Sequence, residues 1–161
     1  MSTPLRIRDA QSGDEDAIVA CLREFAEFER LTHIFRLTPE IVSRDFIGER
    51  RRVQCDLAEW DGAFAGLMIW FRAYATFSAV PALFLEDIFV MPQFRRRGIG
   101  TAFLRHLARR ARAEGAAHID WAVLDWNTDA IEFYLRLGAP ATKDWRICRL
   151  TGEALERLAG I

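Results

Sequence analysis

The segment from residue 83 to residue 115 constrains the fold more than any other part of the sequence. Leu83–Val90 is a mostly apolar run that contains two adjacent acids, and Pro92 follows it. Such a run is typical of a largely buried strand. A basic turn with two glycines, Arg95–Gly100, then opens a helical pattern that continues to Glu114, where Gly115 is placed to end the helix. A strand, a tight turn and a long helix in succession favour an α/β domain with a strand–helix–strand crossover.

The rest of the chain predicts a mixed α/β fold with antiparallel strands first. Apolar alternation predicts further strands over residues 5–8, 53–60, 63–74, 119–124 and 147–150. Asp61-Gly62 is a hairpin turn signal between the second and third of these. The absence of a linker or repeat predicts a single domain over residues 1–161.

Helix start signals complete this pattern. Ser12 and Glu15 fit a capping box before an amphipathic helix that reaches Phe28. Thr38-Pro39 predicts the start of a second helix. Two more helices are expected over Asn127–Leu137 and after Thr151.

Composition excludes several classes of protein. A net charge of −1 disfavours a dedicated nucleic-acid binder. No apolar run approaches the ~20 residues of a membrane span, and Met1–Asp9 lacks the apolar core of a signal peptide, so we expect a cytoplasmic protein with no membrane partner. Cys21, Cys55 and Cys148 form no CxxC pair and show no ligand spacing with the histidines. We therefore expect no metal, and interpret the cysteines as small buried apolar residues.

The turn at residues 95–100 carries the first chemical signal. Glycine lets the backbone approach a ligand closely, and a helix N-terminus offers unpaired N–H groups and a positive dipole end. Gly98 and Gly100, with three arginines before them, thus suit a pyrophosphate. The turn lacks the G-K-[ST] of a Walker loop and the third glycine of a dinucleotide fingerprint. Alone, it also fits a tight turn with solvated arginines.

At this point the sequence resembles the GNAT superfamily of N-acetyltransferases, whose pyrophosphate loop has the pattern [Q/R]-x-x-G-x-[G/A]. Arg95, Gly98 and Gly100 fit that pattern. The segments that are also similar to the diamine (spermidine/spermine) acetyltransferase branch are Ile7-Arg8, Leu85–Met91, Asp125–Asn127, Phe133-Tyr134, Leu137–Ala139 and Trp145-Arg146. The resemblance implies the GNAT fold, a central mixed and largely antiparallel sheet flanked by helices. It also implies acetyl-CoA as co-substrate, a small-molecule amine as acceptor, and a homodimer.

The resemblance also implies roles for individual residues. Tyr134 matches the tyrosine that protonates the departing thiolate, and Glu86 matches the acid that binds and deprotonates the amine. The positions implied for cofactor binding are Ile88, Phe89, Val90, Arg95, Arg96, Arg97, Gly98, Ile99, Gly100, Thr101, Asn127, Thr128, Asp129, Ala130 and Leu137. Those implied for substrate binding are Phe28, Glu29, Glu86, Asp87, Asp120, Trp121 and Ala122. The alternatives without a catalytic role are a solvated carboxylate at Glu86 and core packing at Tyr134.

The strand periodicity adds a directional expectation. Along 84–89, strict alternation places Glu86 with Ile88 on one face and Leu85 with Asp87 on the other. Splaying of this strand from its neighbour would free N–H groups near Phe89 and Val90 for a thioester carbonyl.

Two departures from the diamine branch leave the substrate open. Phe28 stands where that branch has tyrosine, and Ser78–Ala82 is shorter and lacks its tryptophan. A polyamine, a shorter diamine and a thialysine-like amino acid all remain candidates. The rival functions are acetylation of protein or peptide amines and non-catalytic acyl-CoA sensing.

Overall fold

The protein, described by a computed structural model over residues 4–160, divides into two compact units. They are Met1–Ala122 and Val123–Ile161. The expectation of one domain over residues 1–161 stays a prediction. No helix within residues 4–160 is long and apolar enough to cross a bilayer.

The first unit is built on a five-stranded sheet in which the strands follow chain order. The strands are β1 (Leu5–Asp9), β2 (Gln54–Trp60), β3 (Ala63–Ala75), β4 (Val80–Val90) and β5 (Ile119–Trp121). The first four pair antiparallel, and β5 pairs parallel to β4. The predicted mixed, largely antiparallel sheet is therefore confirmed, although β5 ends at Trp121 rather than at residue 124.

Helices cover both faces of this sheet. They are α1 (Glu15–Phe28), α2 (Pro39–Val42), which continues as a π-helical turn over Ser43–Ile47, and α3 (Ile99–Ala113). On one face, Ile18 and Leu22 of α1 share a buried cluster with Phe89 of β4. On the other, Phe103 and Leu107 of α3 share one with Leu85 of β4. The end of β4 is thus held from both sides by packed apolar side chains.

The local signals mostly act as predicted. Asp61 and Gly62 both have positive φ, 50° and 80°, as a two-residue type I′ hairpin turn requires. The hydroxyl of Thr38 accepts from the Ile41 N–H at 3.4 Å and caps α2. The capping box at Ser12 is wrong. The helix begins at Glu15 with Asp14 as its N-cap, and the Asp14 carboxylate binds the Arg8 guanidinium at 2.7 and 2.9 Å instead of capping the helix.

The second unit contains α4 (Thr128–Arg136) and α5 (Gly152–Ala159). The predicted strand over residues 147–150 is wrong, because this stretch has no regular secondary structure, is exposed and has no paired strand among the described residues. Strand patterning forms a strand only where a neighbour supplies hydrogen bonds. Cys148 is consequently exposed, whereas Cys21 and Cys55 are buried as expected.

Candidate active site

A β-bulge in β4 sets the direction of two adjacent acids. Trp70 of β3 pairs with Leu85 and Ile69 pairs with Asp87, so that Glu86 has no partner of its own on β3. Leu85 packs on the α3 side, while Glu86 and Asp87 both line a cavity on the α1 side. The expectation that these two acids point to opposite faces is wrong, because one inserted residue shifts the alternation by one position.

This cavity lies between α1, the segment 31–37 and the central strands, and it has a volume of about 360 Å³. Its walls are mainly apolar, with Leu22 and Phe25 from α1 and Ile69 from β3. Three carboxylates reach it, from Glu29 at the C-terminus of α1 and from the two acids of the bulge. An apolar pocket with a few polar groups brought together is typical of small-molecule sites.

The three acids interact electrostatically. Burial, and then the charges of Glu86 and Glu29, raise the pKa of Asp87 to about 7. Burial also raises the pKa of Glu29 above its ordinary value. Asp87 is half-buried and Glu86 is exposed at the cavity edge. A cation in the cavity would relieve the repulsion among these carboxylates, so the site favours positively charged ligands.

The end of β4 presents an edge that β5 does not cover. The parallel ladder between β4 and β5 spans only Leu83–Leu85, although β4 runs on to Val90. The N–H of Met91 donates to the Ala65 carbonyl on β3 at 2.9 Å. Because N–H directions alternate along a strand, those of Ile88 and Val90 face the uncovered edge. The predicted splay of the two strands stays a prediction, and by this alternation the N–H of Ile88 rather than that of Phe89 points away from β3.

Gly66 on β3 lets the two strands approach closely beside this edge. A Cβ at Gly66 would lie 2.4 Å from the Phe89 carbonyl oxygen and 3.0 Å from the Val90 Cα. Real Cβ atoms do not approach backbone this closely, so any larger residue would displace β4. Glycine at position 66 therefore allows the end of β4, which carries the N–H groups of Ile88 and Val90, to lie close to β3.

The basic turn leads directly into α3. Gly98 is the N-cap of α3 with φ of 77°, in the left-handed region that glycine adopts without strain. It supplies no side-chain cap, and the first turn of α3 carries no acid. The positive end of the α3 helix dipole, at the N–H groups of Ile99, Gly100 and Thr101, is therefore not compensated by a carboxylate of the first turn. Such a helix N-terminus suits an anion.

The arginines of the turn play different structural parts. Arg95 Nε donates to the Val90 carbonyl at 3.0 Å, and its guanidinium lies 5.2 Å from the ring centre of Phe89. Arg97 lies over the rings of Trp60 and Phe94, at 5.2 and 5.5 Å. Arg96 is exposed and has φ of 60°. Arg95 and Arg97 thus attach the turn to strands of the sheet, whereas Arg96 lies on the protein surface.

The predicted residues of the second unit lie on and around α4. Tyr134 is buried on α4, and its ring lies 5.3 Å from that of Phe133. Asn127 is the N-cap of α4, and its side-chain oxygen accepts from the Ala130 N–H at 3.3 Å. Thr128 and Asp129 are exposed in the first turn, and Leu137 is the C-cap.

Only part of the predicted substrate set lines the cavity. Phe28 lies outside it, 42% exposed, with its ring 6.4 Å from that of Phe89. Asp120 on β5 is paired with His118 at 3.2 Å, and Trp121 packs against the core on the α3 side. Ala122 is exposed at the end of the first unit. None of these four residues lines the α1-side cavity.

Sequence reasoning missed one wall of the cavity. The segment 31–37 contributes Leu31, Ile34, Phe35, Arg36 and Leu37. It contains a short 3-10 helix, Thr32–Ile34, and has neither helical nor strand periodicity. The only available signal was an apolar run in a loop with one arginine inside it.

Comparison with known proteins is consistent with this architecture. Among solved structures, an integron cassette protein from the V. cholerae mobile metagenome matches with a TM-score of 0.84 at 20% identity, over 98% of this chain and 99% of that chain. A ribosomal-protein-alanine N-acetyltransferase from Brucella melitensis matches with a TM-score of 0.72 at 18% identity, over 92% and 99% of the two chains. At these identities the matches show the shared fold.

Sequence similarity is more specific. A mouse thialysine N-epsilon-acetyltransferase is 36% identical over 96% of this chain and 97% of its own length. An L-ornithine N5-acetyltransferase of Arabidopsis thaliana is 41% identical over 61% of this chain and 43% of its own length. Residues 16–139 match the family described as the acetyltransferase (GNAT) family. The chain is therefore an acetyltransferase enzyme that belongs to the GNAT family.

Proposed function

We propose that this enzyme transfers the acetyl group of acetyl-CoA to a primary amine of a small cationic molecule. Polyamines, diamines and thialysine-like amino acids are the candidate acceptors. The observation that carries the proposal is the apolar cavity into which Glu29, Glu86 and Asp87 all project. Two relatives are named as acetyltransferases of thialysine and of L-ornithine, and these names support the same class of acceptor.

The groups that we propose to bind acetyl-CoA belong to β4, to the basic turn with the first turn of α3, and to α4. The uncovered N–H groups of Ile88 and Val90 suit the carbonyl and amide groups of the acyl-pantetheine chain. The N-terminus of α3 after Gly98 suits the pyrophosphate. The full proposed set is Ile88, Phe89, Val90, Arg95, Arg96, Arg97, Gly98, Ile99, Gly100, Thr101, Asn127, Thr128, Asp129, Ala130 and Leu137. Acetyl-CoA supplies the activated acyl group, and the protein supplies orientation and electrostatics.

Direct transfer in a ternary complex requires a neutral amine. Glu86, exposed at the cavity edge, is proposed to accept the amine proton through water, and Asp87 and Glu29 to attract the cationic substrate. The amine nitrogen then forms a bond to the acetyl carbon while the bond from that carbon to sulfur breaks. Tyr134 is proposed to give its hydroxyl proton to the departing thiolate and to regain a proton from the amide nitrogen, which loses it as the neutral amide forms. Holding both reactants in one site gives the entropic advantage of an intramolecular reaction.

The remaining proposed substrate contacts are Phe28, Asp120, Trp121 and Ala122. They do not line the cavity, so their roles rest on the resemblance to the diamine branch. Asp120 faces the α1 side of the sheet, because Ile119 and Trp121 pack on the opposite side. Its charge can therefore add to the attraction of cations on that face.

A CoA-release assay across polyamines, diamines, lysine analogues, aminoglycosides and lysine-containing peptides tests the proposal. We expect turnover with at least one small amine, and a lower kcat/KM for every peptide. Glu86→Gln should reduce this turnover, with Glu49→Gln as an exposed control outside the cavity. Acetylation of peptides alone would favour the protein-acetyltransferase alternative, and acetyl-CoA binding without any turnover would favour a sensor.

We also propose a homodimer in the cytoplasm. The second unit exposes large apolar side chains, with Trp145 at 84%, Ile147 at 73% and Leu158 at 77%. Surfaces of this kind are commonly covered by a partner. Three free thiols fit a reducing compartment. Light scattering across a concentration series tests the dimer, with a monomer mass as the opposing result, and cell fractionation tests the location.

A further inference from the structure

The cavity lined by the three acidic residues is also lined by one basic residue. Among the described residues that line it, Arg36 is the only basic side chain. It lies on the segment 31–37, whereas the acids come from α1 and β4. The positive and negative groups therefore belong to different walls of one small site.

The guanidinium of Arg36 is largely uncommitted. It is exposed, and Nη1 donates to the carbonyl oxygen of the preceding residue, Phe35, at 2.8 Å. None of the ion pairs of the described residues includes it. Nearby arginines are engaged: Arg23 lies 4.9 Å from the ring centre of Phe35, and Arg44 binds Asp45 at 2.6 Å. Arg36 thus keeps donors available for a ligand that occupies the cavity and reaches its exposed wall.

A polyamine does not use such a group. Its charges are all positive, so it would complement the acids and leave Arg36 facing a like charge. An α-amino acid with a terminal amine carries an α-carboxylate, which a guanidinium binds with two parallel hydrogen bonds. The apolar wall formed by Leu22, Phe25 and Leu37 suits the methylene or thioether chain between the two ends.

We infer that Arg36 determines a preference for diamino acids of the ornithine or lysine type over polyamines, by binding the α-carboxylate of the acceptor. The inference rests on the proposed function, because it assigns the other end of the same substrate. The carboxylates of Glu29 and Asp87 then receive the α-ammonium group and the amine. Repulsion between Arg36 and a purely cationic amine adds discrimination against the polyamine class.

Paired substrates that differ only in the carboxylate test this assignment. L-Ornithine is compared with 1,4-diaminobutane, and L-lysine with 1,5-diaminopentane, in the acetyl-CoA assay on the full chain. The variants are Arg36→Gln, Arg36→Lys and the control Arg50→Gln, which removes an equal charge from an exposed position outside the cavity. Melting temperatures verify that each variant folds.

Arg36→Gln should lower kcat/KM for the amino acids by about 10–100-fold, the effect of losing a charge-assisted hydrogen bond to an ionised group. The loss should fall mainly on KM, because the carboxylate is remote from the reacting amine. The diamines should keep or modestly gain kcat/KM. Arg36→Lys should give an intermediate value for the amino acids, and Arg50→Gln should match the wild type for all four substrates.

Two results would overturn the assignment of Arg36. One is a parallel loss for amino acids and diamines in Arg36→Gln, which indicates a structural role. The other is an unchanged kcat/KM for the amino acids. A wild-type enzyme that acetylates diamines but no diamino acid would overturn the inference and leave the proposed function intact.

Failure of the proposed function itself looks different. In that case the wild type binds acetyl-CoA but releases CoA with no small amine. Calorimetric titration of L-ornithine and 1,4-diaminobutane then decides on Arg36 without turnover. Weaker binding of ornithine alone in Arg36→Gln supports the carboxylate contact, and equal affinity in both proteins overturns it.

Discussion

Replacing Asp87 by asparagine removes a charge that the folded protein holds at an energetic cost. The pKa of this carboxyl rises from 3.8 to about 7 on folding, chiefly through burial and then through Glu86 and Glu29. Each tenfold change in proton affinity is worth about 1.36 kcal/mol, so an ionised Asp87 costs up to about 4 kcal/mol. Because the side chain is only half-buried, solvent reduces this penalty, and we expect about 1–3 kcal/mol.

The sign of the pH dependence follows from proton linkage. The folded protein binds the Asp87 proton more tightly than the unfolded chain does. The wild type therefore loses stability as pH rises from about 4 to about 7, and the loss is complete above that window. Asp87→Asn has no such titration. Its stability relative to the wild type should rise from near zero at pH 4 to the full gain at pH 8.

Urea unfolding at pH 4.5, 6 and 8 measures this difference, with a constant m-value as the test of two-state behaviour. At pH 8 the melting temperature should rise by roughly 2–12 °C, since about 1 kcal/mol shifts it by 2–4 °C in a chain of this size. Asp144→Asn, an exposed loop carboxylate, is the control and should change neither quantity. The same gain at pH 4.5 and pH 8, or no gain, would refute the reasoning. The stabilised variant should also bind the amine more weakly.

Three further predictions concern the remaining parts of the site. Tyr134→Phe should lower kcat by roughly 10–10³-fold with little change in acetyl-CoA affinity, because only a proton donor is removed. Gly100→Val should weaken acetyl-CoA binding in calorimetry, because bulk is added in the first turn of α3. Gly66→Ala should lower the free energy of unfolding by about 1–3 kcal/mol and also raise the KM for acetyl-CoA, because a Cβ displaces the end of β4.

Each of these changes has a contrasting outcome. Full turnover in Tyr134→Phe would contradict proton donation by Tyr134. A lower melting temperature without a change in turnover would indicate that the tyrosine has only a packing role. Unchanged affinity in Gly100→Val would remove the α3 N-terminus from the cofactor site. Gly62→Ala is the control for Gly66→Ala, since a Cβ at Gly62 meets no atom within 4 Å. It should leave the KM for acetyl-CoA unchanged, and equal KM changes in both variants would contradict the proposed effect on β4.

Sequence reasoning located the sheet and its main turns because their signals are local. The Asp61-Gly62 hairpin and the Thr38 cap each depend on a few adjacent residues. It failed where a contact outside the local pattern decides the structure. Asp14 rather than Ser12 is the N-cap residue of α1, and its carboxylate binds Arg8. Residues 147–150 carry a strand pattern, but no neighbouring strand among the described residues pairs with them.

The candidate site was predicted in part for the same reason. The acids Glu29, Glu86 and Asp87 were identified from the family resemblance, but their convergence in one cavity depends on a bulge that the letters of β4 do not reveal. Arg36 gave no signal, because its position on the cavity wall depends on how the loop 31–37 folds against α1 and the sheet.

Because of the bulge at Glu86, the number of residues in β4 affects the site independently of which residues they are. Removing Glu86 would restore an unbroken antiparallel ladder, in which Leu85 still pairs with Trp70 and Asp87 with Ile69. The local pairing would become more regular, while one of the two carboxylates from β4 would vanish. Deletion of Glu86 and Glu86→Ala therefore separate backbone irregularity from charge. In a sequence alignment, a one-residue gap at this position would mark a change in the site that the identity of the neighbouring residues conceals.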